Sequence, residues 1–316
     1  MTPIHKYLFG PVPSRRFGRS LGVDLPPLKT CTLDCVFCQL GHTSHKTMER
    51  KEYAPIPEVE SELAHWLQDG GKADYITLSG SGEPTLHSGF GTILQFIKKE
   101  MPFPSVLLSN GTLFWLPEVR TAACAADIVK LSLSAWDMDS FRRVNRPHED
   151  LSFDRCVEGL RDFRKEFRGN LWLEVFLIEG INSLAEDVKK IARIAESIAP
   201  DEIHLNTAVR PPAEQSVSSV DRGTMEELAG LFQPRATIIA GFPTRCGANI
   251  EANEDRILDM LRRRPCTALQ IQEAFGMHVN EVSKYVGDLV RARRIRPEWR
   301  GGEIYFKACD GKGNER

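Results

Sequence analysis

The sequence predicts an α/β protein: an open, partial (β/α)6 barrel of the TIM type followed by a small C-terminal winged helix-turn-helix domain. Two observations carry this. Apolar stretches of strand length alternate with amphipathic stretches of helix length from about residue 20 to about residue 240, which calls for parallel strands joined by right-handed crossovers. Beyond that point the pattern changes to short helices and one glycine-centred hairpin. Six strand–helix units are too few for a closed eight-stranded barrel. The expected division is 1–245 for the barrel and 246–316 for the appended domain and tail.

The elements follow in order. Ser20–Leu25 is a short apolar strand leading into a cysteine-bearing loop. Pro57–Gln68 is a helix, since Val59, Leu63 and Trp66 recur at helical spacing. The strand Asp74–Ser79 precedes the helix Gly89–Glu100, whose Ile93, Leu94, Phe96 and Ile97 form its apolar side. Ser105–Ser109 is a strand closed by Asn110-Gly111, followed by a short helix over Pro117–Ala125. Then come strand Ile128–Ser134 and helix Phe153–Phe167, strand Leu171–Ile178 and helix Leu184–Ala199, strand Glu202–Thr207 and helix Thr224–Phe232, and a last strand Ala236–Ala240. In the C-terminal part, Asn253–Arg264 is a helix, Thr267 caps Ala268–Phe275, and Val279–Arg293 is a third helix after a turn at Gly276. Ile295–Ala308 reads as a hairpin around Gly301 and Gly302.

Composition excludes several classes. A chain of 316 residues with 41% hydrophobic and 27% charged residues has the make-up of a soluble globular protein. A net charge of −2 gives no global drive toward nucleic acid or membrane. No apolar run approaches a membrane span, and the first residues, MTPIHKYLFGPVPSRR, lack the core of a signal peptide. A cytoplasmic protein with reduced thiols is expected, with no membrane partner.

Three of the eight cysteines, Cys31, Cys35 and Cys38, form a C-x3-C-x2-C run on one short loop. The other five are scattered singly, so a disulfide framework is not indicated. Three thiolates on one loop suit an iron–sulfur cluster with one iron left without a cysteine. A zinc site completed by His42 is the alternative reading of the same residues. Farther on, the apolar strand from Tyr75 ends in Gly80-Ser-Gly82-Glu83-Pro84. The glycines permit a sharp turn and close approach to a ligand, and Glu83 offers an anion suited to an ammonium group. These motifs fall where the strands end, the chemical face of such barrels. Asn110 shares that position.

The C-x3-C-x-Φ-C run, with the aromatic Phe37 before the third cysteine, resembles the signature of the radical S-adenosylmethionine (SAM) superfamily. The Gly-Ser-Gly-Glu-Pro turn resembles its GGE motif, which holds the SAM amino group. The resemblance implies that Cys31, Cys35 and Cys38 bind three irons of a [4Fe-4S] cluster and that SAM chelates the fourth. It implies an enzyme, an oxidoreductase or transferase, supplied with one electron by a donor such as flavodoxin or ferredoxin. Reductive cleavage of SAM to a 5′-deoxyadenosyl radical would then abstract hydrogen from an unidentified substrate. Superfamily members place ribose contacts on the fourth strand, where Ser132 and Ser134 stand two apart and share one face. Ile178 and Gly180 are positions for the adenine. Asn206 is a further cofactor position, and Arg210 and Arg146 stand where a substrate would sit, each suited to clamp an anion.

The segment Gly10-Pro-Val-Pro-Ser-Arg15-Arg16-Phe-Gly-Arg19 combines a stiff path with three arginines. Arg15 and Arg16 are substrate candidates; a plug at the barrel bottom is the other reading. This opening, the KTC at Cys31, the Ser-Gly-Glu-Pro-Thr-Leu-His87 stretch and Leu205-Asn206-Thr207 with Arg210-Pro-Pro resemble a branch related to the wyosine-forming tRNA enzymes, over about residues 7–245. Those enzymes carry further cysteines toward the N-terminus, and none precedes Cys31.

Over 253–309, 11 Lys/Arg and 8 Asp/Glu leave +3. Arg262–Arg264 and the arginines from Arg291 to Arg300 suit phosphate contact, whereas Glu281 at the start of the third helix does not. The winged helix is read either as a nucleic-acid contact, RNA above DNA, or as a module that docks protein or presents substrate. A second reading of the whole chain is a cluster-bearing transcription regulator that binds DNA through that domain; Glu83 and the strand-end motifs speak against it.

Overall fold

Most of the alternating segments resolve into one sheet. In the computed structural model, which describes residues 5–14, 16–240, 254–277 and 279–309, β1 (Leu8–Ser14) pairs antiparallel with β2 (Gly18–Val23). Two short strands, β3 (Thr30–Cys31) and β4 (His45–Lys46), pair in parallel across the base of the cysteine loop. Then come β5 (Tyr75–Leu78), β6 (Ser105–Leu108), β7 (Ile128–Ser132), β8 (Asn170–Leu177), β9 (Glu202–Thr207) and β10 (Thr237–Ile238). The sheet order is β1-β2-β5-β6-β7-β8-β9-β10, and every pairing from β2 onward is parallel. The order runs from edge to edge without closure among the described residues. Arg15, Cys246 and the expected division at 245–246 lie outside the described residues.

The connecting helices are α1 (Ile56–Gln68), α2 (Phe90–Glu100), α3 (Pro117–Ala123), α4 (Met138–Asn145), α5 (Phe153–Glu166), α6 (Ala185–Ile198) and α7 (Arg222–Ala229). Each buries an apolar stripe, such as Val59, Leu63 and Trp66 on α1 and Val188, Ile191 and Ala195 on α6. The stripes cover one face of the sheet, where Leu171, Leu173, Val175 and Leu177 of β8 are fully buried. The alternate residues of β8, Trp172, Glu174 and Phe176, face the other way. That second face is layered. Phe17 closes its lower end, stacked on Trp172 at 5.0 Å and edge-on to Tyr75 at 5.3 Å, with Val106 and Ile128 beside it.

Three elements depart from expectation. β1 is a strand despite Pro11 and Pro13; as the edge strand it needs one ladder only, and its register slips between Phe9 and Val12. α4 is an added helix, started by a reciprocal cap between Asp137 and Ser140. α7 begins at Arg222 because Asp221 caps it through Thr224.

The C-terminal unit holds α8 (Glu254–Arg263), β11 (Cys266–Thr267), α9 (Ala268–Phe275), α10 (Val279–Arg291), β12 (Ile295–Arg300) and β13 (Glu303–Ala308). Its antiparallel sheet runs β11-β13-β12. Thr267 and Gln270 cap α9 reciprocally, and Gly276, at φ +62°, ends it. Ile257, Leu261, Ile271, Val282 and Leu289 form its own core. Among the described residues no helix is long and apolar enough to cross a membrane.

Candidate functional site

A cavity of about 440 Å3 opens on the inner face of the sheet at the C-terminal ends of the strands. Strand alternation decides its lining. Ser20 and Gly22, Thr77 and Ser79, Lys130 and Ser132, Glu174 and Phe176, and Asn206 all face it. The cysteine loop and the Gly80–Glu83 turn form the rim, which brings Cys31, Phe37, Cys38, Gly80, Gly82, Glu83 and Asn110 into one space with Arg16 and Arg210. Cys35 lies behind them, its Sγ accepting from Asn145 Nδ2 at 3.3 Å.

The rim is tied together by short polar contacts. Glu83 is 2% exposed. Its Oε1 accepts from Thr85 N and Oγ1 and from Ser109 Oγ, and its Oε2 accepts from Asn110 N at 2.7 Å. Asn110 also donates through Nδ2 to Thr32 Oγ1 at 2.8 Å and to Cys31 Sγ at 3.5 Å. The carboxylate and the first cysteine are therefore held by one residue. Gly82 makes the docking possible: a Cβ there would stand 2.0 Å from Thr30 O, the carbonyl that accepts from Glu83 N. Gly80, at φ +142°, leaves room for the Asp24 carboxylate, which accepts from Ser81 N and Oγ.

Burial pushes the Cys31 thiol up to about 12, and the Glu83 carboxylate and Cys38 add to it. Cys35 is raised well above the ordinary thiol range by burial and by the other two cysteines. Burial also raises Cys38, with Lys307 and Lys29 acting in the opposite sense. Three buried thiols raised in this way are unfavourable as free anions and become thiolates only with a compensating cationic centre. Among the described residues no three His, Cys, Asp or Glu side chains close on a point as one ion requires. Three cysteines on one loop suit a cluster in which each thiolate takes a different iron. His42, the fourth ligand of the zinc reading, turns instead to Asp34 at 3.4 Å and Glu214 at 3.6 Å.

Besides Cys35, four expected site residues stand outside the cavity lining. Ser134 Oγ accepts from Phe176 N at 3.0 Å, because the chain leaves the strand at Ser132 and loses the alternation. Ile178 is fully buried with Val36, Val144, Ala208 and Val217 beneath the cysteine loop. Gly180, at φ +71°, has nothing within 4 Å of a Cβ position. Arg146 ends α4 in a left-handed turn and pairs with Glu214 at 2.6 Å. Phe37 stacks on Phe176 at 4.0 Å, and Arg210 Nη1 donates to Gln39 Oε1 at 3.1 Å.

Two groups were not anticipated. Lys130 and Glu174 line the cavity floor, and the signal was present: Lys130 lies two residues before Ser132 and so shares its face. Met260, Arg263 and Arg264 reach the cavity from the C-terminal unit, with no local signal to place them there. Arg263 Nε donates to Asp24 Oδ2 at 3.1 Å, and its guanidinium lies 4.4 Å from the Phe9 ring centre. Arg300 donates to the carbonyls of Ala208 and Val217.

A family model described as the radical SAM superfamily matches residues 25–195. The chain is 34% identical over 305 residues to a protein of Brachyspira hyodysenteriae named GTPase Obg, which covers 95% of this chain and 45% of that protein. The chain thus spans less than half the length of that relative. It is 34% identical over 228 residues to a UPF0026 protein of Methanocaldococcus jannaschii, covering 71% of this chain and 70% of the other. A more distant likeness, 24% over 181 residues, is to a probable dual-specificity RNA methyltransferase RlmN of Chlorobaculum tepidum, at 53% and 46% coverage. A crystal structure of a radical SAM methyltransferase from Sphaerobacter thermophilus shares the fold at TM-score 0.54 and 15% identity, over 71% of this chain and 67% of that one.

Proposed function

Because the chain belongs to the radical SAM superfamily, we propose that Cys31, Cys35 and Cys38 hold the [4Fe-4S] cluster and that the cavity beside them seats SAM. Members of the superfamily bind both groups. The observation that carries the assignment is the Asn110 bridge, which ties the Glu83 carboxylate to Cys31 Sγ across the cavity rim. When bound and supplied with one electron, the pair provides reductive cleavage of SAM and abstraction of a substrate hydrogen.

The chain's own residues orient and shield. Glu83, fixed by Thr85, Ser109 and Asn110, presents an anion for an ammonium group. Gly80 and Gly82 let the backbone come close to the ligand. Ser132 and Asn206 offer polar atoms on the same face, and Phe37 and Phe176 supply an apolar wall. The C-terminal unit, read as a winged helix, helps exclude water through Met260, Arg263 and Arg264. Flavodoxin or ferredoxin is the proposed electron donor. RNA is the proposed macromolecular partner, supported by the likeness to the RlmN protein and by the arginines of the C-terminal unit. The matching family is one of enzymes, which speaks against a DNA-binding regulator.

Anaerobically reconstituted protein with dithionite and SAM is expected to yield 5′-deoxyadenosine, and Cys35→Ala protein to yield none. Protein that takes up one tight zinc and no iron would overturn the proposal.

A further inference from the structure

The cavity floor is built around an unbalanced charge. Glu174 Oε2 accepts from Arg16 Nη1 at 2.6 Å and forms an ion pair with Lys130 Nζ at 3.0 Å, and its Oε1 accepts from Asn206 Nδ2 at 2.9 Å. The side chains of Lys130 and Glu174 are 11% and 12% exposed. Burial works against the Glu174 charge, but Lys130 and Arg16 hold its carboxyl well below the usual carboxylate range. Burial and Arg16 disfavour the charged form of His204 on the neighbouring strand. One carboxylate therefore serves two cations, leaving one positive charge under the cavity.

A purely structural ion pair would be even, because each uncompensated buried charge costs several kcal/mol. A further observation points to a missing acceptor. Arg16 Nε is buried and has no partner among the described residues.

We propose that Arg16 and Lys130 seat an anionic group of the substrate, a carboxylate or a phosphate. The substrate is then acid-bearing, held with its anion on the floor and its reacting carbon toward the rim. The floor is not where the SAM carboxylate belongs. Lys130 lies two residues below Ser132 on β7, about 7 Å deeper than the strand ends, whereas the cysteines stand on the rim. This inference rests on the radical SAM reading for which end of the cavity the cofactor takes.

The test is calorimetric titration of the full chain, near neutral pH and at fixed ionic strength, with inorganic phosphate and separately with malonate. At least one is expected to bind. Lys130→Met should weaken it about tenfold, the loss of one charge-assisted bond, and Lys130→Arg should restore most of the affinity. If Lys130→Met does not fold, Arg16→Met carries the same comparison. In reconstituted protein, saturating SAM should leave the anion affinity unchanged. Preference for phosphate or malonate identifies the acid. Binding of neither anion, binding indifferent to both substitutions, or displacement by SAM would each overturn the proposal. The two readings fail separately. Formation of 5′-deoxyadenosine without anion binding sinks only the anion seat, and anion binding without SAM cleavage sinks only the enzyme reading.

Discussion

Glu83 is almost fully buried yet accepts hydrogen bonds from Thr85, Ser109 and Asn110, so its charge is met by donors before any ligand arrives. Glu83→Gln replaces one acceptor oxygen with a donor facing these groups. The expected loss is about 2–3 kcal/mol of stability by urea unfolding, the worth of bonds to a charged group and of the donors left unmet. Glu174 makes a pH prediction. Its folded carboxyl sits well below the usual range because of Lys130 and Arg16, so its contribution is fully present above its unfolded value. The contribution is lost as pH falls below about 4.3 and through the folded value. Urea unfolding across pH should show stability falling in that window for the wild-type protein, and a flatter profile for Glu174→Gln. At neutral pH the same substitution should cost about 3–5 kcal/mol, since it strands two buried cations.

At the scale of elements, the turn after β5 is defined by what it must fit against. Gly82→Ala would set a Cβ 2.0 Å from Thr30 O and push the turn off the cysteine loop. The expected cost is about 1–3 kcal/mol, with reduced iron content after reconstitution, checked by iron per chain. Gly180→Ala is the contrasting case. At φ +71° with open space around it, it should lose about 1 kcal/mol and no iron. The main strands were legible because their apolar residues alternate or run continuously, and most helices because their apolar stripes recur at helical spacing. α4 was not, since its Asp137–Ser140 cap lies in a polar stretch of only eight helical residues. Ser134 was misplaced for a related reason: alternation holds only while the chain remains a strand, and β7 ends at Ser132.

At the scale of the molecule, the C-terminal unit closes on the sheet's open end through Arg263 and Arg300. Asp24 joins Arg263 to Ser81 beside the Gly80–Glu83 turn, so the unit is mechanically tied to the rim of the cavity. Arg263→Ala should loosen that tie. Amide hydrogen exchange is expected to rise across 254–309 and to stay unchanged in β5 to β8. The sequence by itself determined the strand–helix alternation, the three cysteines and the carboxylate at the strand end, because these are local patterns set by side-chain periodicity and backbone freedom. Only the tertiary structure decided that Lys130, Glu174, Arg16 and Asn206 share one floor and that Arg263 meets Asp24. These residues lie far apart in the chain, and the parallel sheet with its docked C-terminal unit brings their charges together.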